Sequence, residues 1–331
     1  MFGAARARQQ TELFRQLGAM VHAGVSLGES VSTLAQEHGN TPLGRALARV
    51  GHEVSHGHAL AASLRKHERL FSPLTVAMVE VGEQSGRLDE TLHGIQQYHE
   101  KDFELRHLLT RELAYPTVLF AAILLIPLAG RFILVWMTGS AGAALAGALG
   151  QLVMYAIVLG VPTTVALLVV RSMTGSEQGR VRVHGLLLSV PIIGGVARRL
   201  AVARFCRALA SLYSSGVLLG TALRLAADAA GNALVGHALT REAPRIDRGG
   251  SLADALEASA VIPRTAVQML RTGERTGDID QMARSVADHL QQEAETAIKQ
   301  AAAAIAPAAV IIAGIIVGLM VVGFYAGLYT F

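Results

Sequence analysis

One eight-residue segment occurs twice in this chain. Gly82-Glu83-Gln84-Ser85-Gly86-Arg87-Leu88-Asp89 and Gly273-Glu274-Arg275-Thr276-Gly277-Asp278-Ile279-Asp280 both read Gly-Glu-x-Ser/Thr-Gly-x-Leu/Ile-Asp, 191 positions apart. The offset extends well past the segment. Gly24-Val25 matches Gly216-Val217, Gly28 matches Gly220, and Gly39-Asn40 matches Gly231-Asn232, all at 192. Leu60 and Leu64 match Leu252 and Leu256 at 192, Ser72-Pro73 matches Ile262-Pro263 at 190, and Pro116 matches Pro307 at 191. A drift of one or two positions is what small loop gaps produce. The chain is therefore two copies of one domain, each followed by an apolar segment that opens near a proline.

The repeated domain reads as helical. Leu13, Leu17, Met20 and Val21 recur at helical spacing, and Gly24 stops that helix. Leu27, Val31 and Leu34 follow, closed by Gly39-Asn40. Thr41-Pro42 pairs a capping residue with proline at the first helical position, and Ser72-Pro73 repeats the signal. Gly82 is expected to end the helix that Ser72 starts, and a new one begins near Leu88. No β-pattern of useful length is present.

The apolar segments place part of the chain in lipid. Of 331 residues, 52% are hydrophobic and 16% charged, well below the usual quarter, and mean hydropathy is +0.42. Tyr115 to Trp136 spans about 22 residues against the roughly 20 that cross a hydrocarbon core. Arg131 lies near its far end, where a long side chain reaches the headgroups, and Trp136 suits the interface. Pro116 starts this span and Pro127 is expected to kink it. Ala143 to Val170, with Pro162 inside, is the second span, and Ile305 to Phe331, with Pro307 near its start, is the third. The third contains Gly314-x-x-x-Gly318 and Gly323-x-x-x-Gly327, on opposite sides of a helix; such spacing lets backbones approach closely. The bland alternative, that glycine is simply common in membrane helices, stays open.

The expected organisation is a lead over 1–11, a helical bundle over 12–114, a span over 115–136, a short connection over 137–142, and a span over 143–170. A membrane-proximal linker over 171–199 containing Pro191, a second bundle over 200–304 and a third span over 305–331 complete it. The connection 137–142 has no Lys or Arg, whereas Arg106, Arg111, Arg171, Arg180, Arg182 and Lys299 flank the other ends. The positive-inside rule then puts both bundles in the cytoplasm and Phe331 on the far side. No signal peptide is visible. Cys206 is the only cysteine, so no intrachain disulfide forms. Aromatic residues, at 5%, are too few for a nucleic-acid stacking surface.

Few segments carry a chemical signature. His52-Glu53-Val54-Ser55-His56 matches H-E-x-x-H, which on a helix sets two imidazoles one turn apart for zinc with a glutamate as general base. Gly57 threatens the helix end, the extended form of the motif is absent, and the second repeat has Pro244-Arg245-Ile246-Asp247-Arg248 in its place. No phosphate-binding loop surrounds any of the three lysines, Lys66, Lys101 and Lys299. The duplicated turn has two readings. Glu83 and Glu274 can bind a cation or a partner's arginine. Alternatively the turn is structural: Gly82 and Gly273 end one helix, Gly86 and Gly277 supply positive φ, and Ser85 or the acids favour the next helix N-terminus. Duplication of the fold favours the structural reading.

Taken together, two helical repeats bearing the Gly-Glu-x-Ser/Thr-Gly-x-Leu turn, spans after each proline, and Val190-Pro191-Ile192-Ile193-Gly194 leading to Ala203-Arg204-Phe205 resemble the type II secretion system F family. That family includes the inner-membrane platform proteins of type IV pili and competence pseudopili. Ala23-Gly24-Val25-Ser26-Leu27 resembles its first-repeat opening and Gly216-Val217-Leu218-Leu219 its second. The resemblance implies an all-α membrane protein with two tandem cytoplasmic bundles of about six helices each and three transmembrane helices. It implies no enzymatic activity and no cofactor. The implied role is to couple a cytoplasmic assembly ATPase to pilin or pseudopilin extraction, alongside other inner-membrane assembly proteins and further copies of itself. Glu83, Arg87, Glu274 and Arg275, on exposed turns, are the candidate contacts. Many members carry an additional N-terminal segment; this chain begins close to its first bundle, as the shorter competence-type members do. Two rivals stand beside this reading: a membrane zinc protease built on His52, Glu53 and His56, and a permease-like subunit of an ATP-driven transporter.

Overall fold

The computed structural model describes residues 2–138, 149–150, 153, 157, 160, 164 and 193–328. Among them the chain is all-helical, without a strand. It divides into two compact units, Met1–Leu108 with His184–Ala294, and Leu109–Val183 with Glu295–Phe331.

The first unit holds both repeats. The first repeat comprises α1 (Phe2–His22), α2 (Leu27–His38), α3 (Pro42–Ser55), α4 (Leu60–Arg65), α5 (Pro73–Ser85) and the start of α6 (Leu88–Thr138). The second comprises α7 (Ile193–Ser214), α8 (Leu219–Ala229), α9 (Ala233–Thr240), α10 (Ala243–Asp247), α11 (Leu252–Ala258), α12 (Arg264–Thr276) and the start of α13 (Ile279–Leu328). Local chemistry sets several boundaries. The Thr41 and Ser72 hydroxyls accept from the backbone N–H of Gly44 and Thr75, and proline follows each. Asn232 opens α9 in the same way. Where the first repeat has the single helix α3, the second has α9 and α10. Pro244 lies in the first turn of the second of these, where its missing N–H leaves no helical hydrogen bond unmade.

The two repeats share one apolar core. Leu13, Phe14, Leu34, Val50, Met78 and Ile95 from the first, and Phe205, Leu209, Leu223, Leu252, Leu270 and Val286 from the second, belong to a single buried cluster. Helix α5 is the bridge: it packs against α7 and α8 of the second repeat as well as against α4 of its own.

The second unit contains the distal parts of α6 and α13. The two helices run without a break for 51 and 50 residues. This differs from the expected separate bundle helix and span. Pro116, Pro127 and Pro307 all lie inside continuous helix. In a long helix, neighbouring turns hold the segment in register when one hydrogen bond is lost, so a proline signal alone does not end it. The exposed large hydrophobic side chains concentrate here: Val118, Leu125, Ile133, Leu149, Val153, Ile157, Val310, Ile311, Ile315 and Val322 are each more than half exposed. Among the described residues no helix is both long and apolar enough to cross a membrane. Gly314 and Gly318 lie in α13, and a Cβ at either would meet nothing within 4 Å. Gly323 and Gly327 are also in α13. The connection 139–142, most of the expected second span with Pro162, and the linker through Pro191 lie outside the described residues.

Candidate functional site

The duplicated turn is built identically in both repeats. Helix α5 continues through Gly82 to Ser85 and is capped by Gly86, whose φ of 70° is left-handed. Helix α12 continues through Gly273 to Thr276 and is capped by Gly277 at φ 84°. A side chain is disfavoured at that φ, so Gly86 and Gly277 are the stop signals. The expectation that Gly82 ends its helix is corrected on this point. Gly82 and Gly273 serve close approach instead. A Cβ on Gly82 would lie 2.6 Å from Thr91 Oγ1, and one on Gly273 would lie 2.7 Å from Met282 Cγ and 2.9 Å from the Asp278 carbonyl oxygen. These glycines let the following helix fold back tightly against the preceding one.

The glutamates reach backward along the chain. Glu83 Oε1 accepts from the backbone N–H of Leu60 at 2.5 Å, and Oε2 from that of Ala61 at 2.9 Å. Glu274 Oε1 accepts from Leu252 N–H at 2.6 Å, and Oε2 from Ala253 N–H at 3.0 Å and the Ser251 hydroxyl at 2.7 Å. Each carboxylate therefore closes the N-terminus of the short helix α4 or α11, where unpaired N–H groups and the helix dipole favour negative charge. The second repeat adds a local cap, because Ser251 Oγ accepts from Asp254 N–H; Ala59, at the same place in the first, has no side-chain cap. The expected cap by Ser85 on the next helix does not form, since its hydroxyl donates back to the Gly82 carbonyl at 3.4 Å. Asp89, in the first turn of α6, does favour that N-terminus: the backbone N–H of Glu90 is the main cause holding its carboxyl below the usual range.

Arg87 and Arg275 sit on the outer side of these turns and are exposed. Arg87 pairs with Glu90 one turn on. It also lines an open cleft between the repeats with Ser85, Ser214, Ser215 and Arg284. Deeper in the same region, Arg207 of α7 is buried, donating to Gln291 Oε1 at 2.7 Å and to Asp288 Oδ1 at 3.3 Å. Sequence periodicity did not single out Arg207. Its counterpart Arg15 is exposed and pairs with Glu12, so only packing distinguishes the two.

The H-E-x-x-H segment is differently engaged. Helix α3 ends at Ser55, and His56 caps it before Gly57 at φ 87°. His56 Nδ1 donates to the His52 carbonyl at 2.7 Å, and the two rings lie tilted by 31° with centroids 4.3 Å apart. Glu53 accepts from Lys66 Nζ at 2.8 Å, the main cause holding its carboxyl below the usual range. A glutamate held in this pair is a poor general base. Among the described residues no group of three or more His, Cys, Asp or Glu could hold a metal ion.

The model of the family described as "Type II secretion system (T2SS), protein F" matches the chain twice, over residues 13–135 and 205–327. The chain belongs to this family. Its two matched segments start 192 positions apart (205 − 13), the spacing that Gly24 and Gly216 already set. Among its relatives, the type IV pilus assembly protein PilC of Thermus thermophilus is 32% identical over 329 residues, covering 95% of this chain and 80% of the relative. The PilC protein of Pseudomonas aeruginosa is 29% identical, covering 94% and 86%. The type II secretion system protein F of the same organism is 29% identical, covering 83% and 71%. Membership places the chain among components of pilus assembly and protein secretion, not among enzymes.

Proposed function

We propose that this chain is the inner-membrane platform of a type IV pilus, type II secretion or competence-pseudopilus machine. In this reading it couples a cytoplasmic assembly ATPase to the extraction of pilins or pseudopilins. The observation that carries it is the segregation of exposed apolar surface. Of the eleven large hydrophobic side chains most exposed among the described residues, ten lie between Val118 and Ile157 or between Val310 and Val322; Leu218 is the exception. Water would not tolerate such a band, and lipid would. Each repeat also runs through one unbroken helix, α6 or α13, into such a band. That connection is what a lever needs if a push on a bundle is to reach the bilayer.

The proposed organisation is bundles over 12–114 and 200–304, spans over 115–136, 143–170 and 305–331, a short connection over 137–142 and a linker over 171–199. Both bundles lie in the cytoplasm, following the flanking arginines. Glu83 and Glu274 hold the turns in shape, Arg87 and Arg275 are the outward contacts, and the paired glycines of α13 from Gly314 to Gly327 are packing faces within the membrane. The test is purification from membranes of cells expressing the machine. The ATPase and prepilins should co-purify with the chain, and the charge-reversed Arg87→Glu variant should lose the ATPase without losing its fold. Recovery of neither partner with the intact chain overturns the proposal.

A further inference from the structure

The H-E-x-x-H segment, which the platform reading leaves unused, brings two imidazoles together at the end of α3. His52 and His56 lie one turn apart, both exposed, with ring centroids 4.3 Å apart. Of the twelve histidines in the chain, no other two are spaced by three or four positions. Such spacing on a helix puts two ligating nitrogens on one face. The duplicated fold does not require the pair, because Pro244 and Arg248 stand at the equivalent positions of the second repeat.

Hydrogen bonding selects the nitrogens. His56 Nδ1 donates to the His52 carbonyl at 2.7 Å, so Nε2 carries the ring's lone pair and points away from that carbonyl. A backbone carbonyl behind the ring is the usual outer support of a ligating histidine, fixing its tautomer and orientation. Among the described residues no group hydrogen-bonds the His52 ring or His56 Nε2. Two imidazoles bound side by side on one ion, with metal–nitrogen distances of about 2.0–2.1 Å, put their ring centroids about 4.5 Å apart. The observed 4.3 Å is close to that separation, so little backbone movement is needed. The 31° tilt between the rings is what must change, and the unbonded His52 ring is free to turn.

The surroundings suit a cation. Helix α3 ends at Ser55, and its last carbonyls and its dipole favour positive charge beside these rings. The Lys66 ammonium is neutralised by Glu53, and Arg49, one turn before His52, is exposed to screening solvent. We infer that His52 and His56 form a two-histidine site for a divalent transition-metal ion. Neutral imidazoles select Cu²⁺, Ni²⁺ and Zn²⁺ over Mg²⁺, and Cu²⁺ binds more tightly than the other two. No third His, Cys, Asp or Glu joins the pair among the described residues, so water completes the shell. The site carries no hydrolytic chemistry, because Glu53 is held by Lys66. The ion instead staples the last turn of α3, where the chain turns toward α4.

The test uses the full chain, purified in detergent without a polyhistidine tag, and titrates Cu²⁺, Ni²⁺, Zn²⁺ and Mg²⁺ by isothermal titration calorimetry. A single Cu²⁺ ion should bind per chain, Ni²⁺ and Zn²⁺ more weakly, and Mg²⁺ not at all. His52→Gln and His56→Gln should each weaken Cu²⁺ binding about tenfold or more, since one imidazole alone loses the chelate. His58→Gln, two positions further on, should leave it unchanged. All three histidines are exposed, so melts of the metal-free variants should stay within about 3 °C of the parent. Ni²⁺ should also slow amide hydrogen exchange at 53–57 and leave 244–248, the equivalent stretch of the second repeat, unaffected. A chain that binds no Cu²⁺, or binding that both single variants retain, overturns the proposal. So does a loss in His58→Gln as large as that in His56→Gln, which places the ion elsewhere. None of these outcomes bears on the platform reading, whose test is recovery of partners.

Discussion

Removing the Glu83 carboxylate should unfold the first repeat well before it alters any surface. The Glu83→Ala variant deletes two hydrogen bonds, of 2.5 and 2.9 Å, from Leu60 and Ala61, and both residues are at most 3% exposed. The two N–H groups then lose their charged acceptor at a partly buried helix start. A hydrogen bond to a charged group contributes about 1.5–3 kcal/mol net, and loss of a helix cap costs about 1 kcal/mol. These terms overlap, so the expected loss is about 3 kcal/mol. Glu274→Ala should cost less, about 2 kcal/mol, because the Ser251 hydroxyl remains to cap α11. At roughly 2–4 °C per kcal/mol for a unit of this size, the midpoints fall by about 6–12 °C and 4–8 °C. The assay is far-UV circular dichroism of the full chain in detergent. Glu83→Gln should be nearly as harmful as alanine, since its amide turns a donor toward a backbone donor. Adding Ala59→Ser to Glu83→Ala should recover about 1 kcal/mol: Ala59 has φ −61° and ψ 139°, close to the −66° and 135° at which Ser251 already caps. A glutamine variant as stable as the parent, or an Ala59→Ser change without effect, would refute this account of the turn.

Gly82→Ala and Gly273→Ala should each cost about 1–3 kcal/mol by overpacking, and Thr91→Ala should relieve the first, measured by the same melts. Leu218→Ser should stabilise the chain by about 1 kcal/mol: Leu218 is 81% exposed at the start of α8 without a side-chain cap, where the first repeat has the capping Ser26. His67 titrates below the usual histidine range, chiefly through burial, with the Arg49 charge adding to it. The unfolded chain thus takes up its proton first, and His67 should cost stability as pH falls through about 6.5, the unfolded value. In a His67→Gln variant the drop in stability between pH 7.5 and 5.5 should be smaller.

The legible parts of this fold were those with local causes. Thr41-Pro42 and Ser72-Pro73 announce their helices because a capping hydroxyl and a proline act within four residues. The positive φ at Gly86 and Gly277 was legible for the same reason. Gly82 was not, because a glycine that stops a helix and a glycine that admits a neighbour look alike in sequence. The partners of Glu83 were hidden by distance: Leu60 lies 23 positions away, and nothing local joins them. The duplication carried the missing signal, since Leu60 and Glu83 recur together as Leu252 and Glu274. Burial of Arg207 against exposure of Arg15 was equally hidden, because equivalent residues met different neighbours.

What duplication kept and what it let change therefore report different things. The turn is retained in both repeats because the same carboxylate closes the same short helix in each, whatever lies outside. The helices that flank it diverged with their surroundings. Helices α5 and α7 meet across the chain, and Val202, Phe205, Leu209 and Leu212 of α7 are wholly buried. A helix covered on all sides gains from apolar residues all round, whereas one with an open face keeps a polar stripe. On α12, the counterpart of α5, Gln268 and Thr272 are exposed where Ala77 and Val81 of α5 are partly buried. Divergence after duplication has thus followed burial: side chains are apolar where α5 meets the second repeat and polar at the equivalent positions of α12, which are exposed.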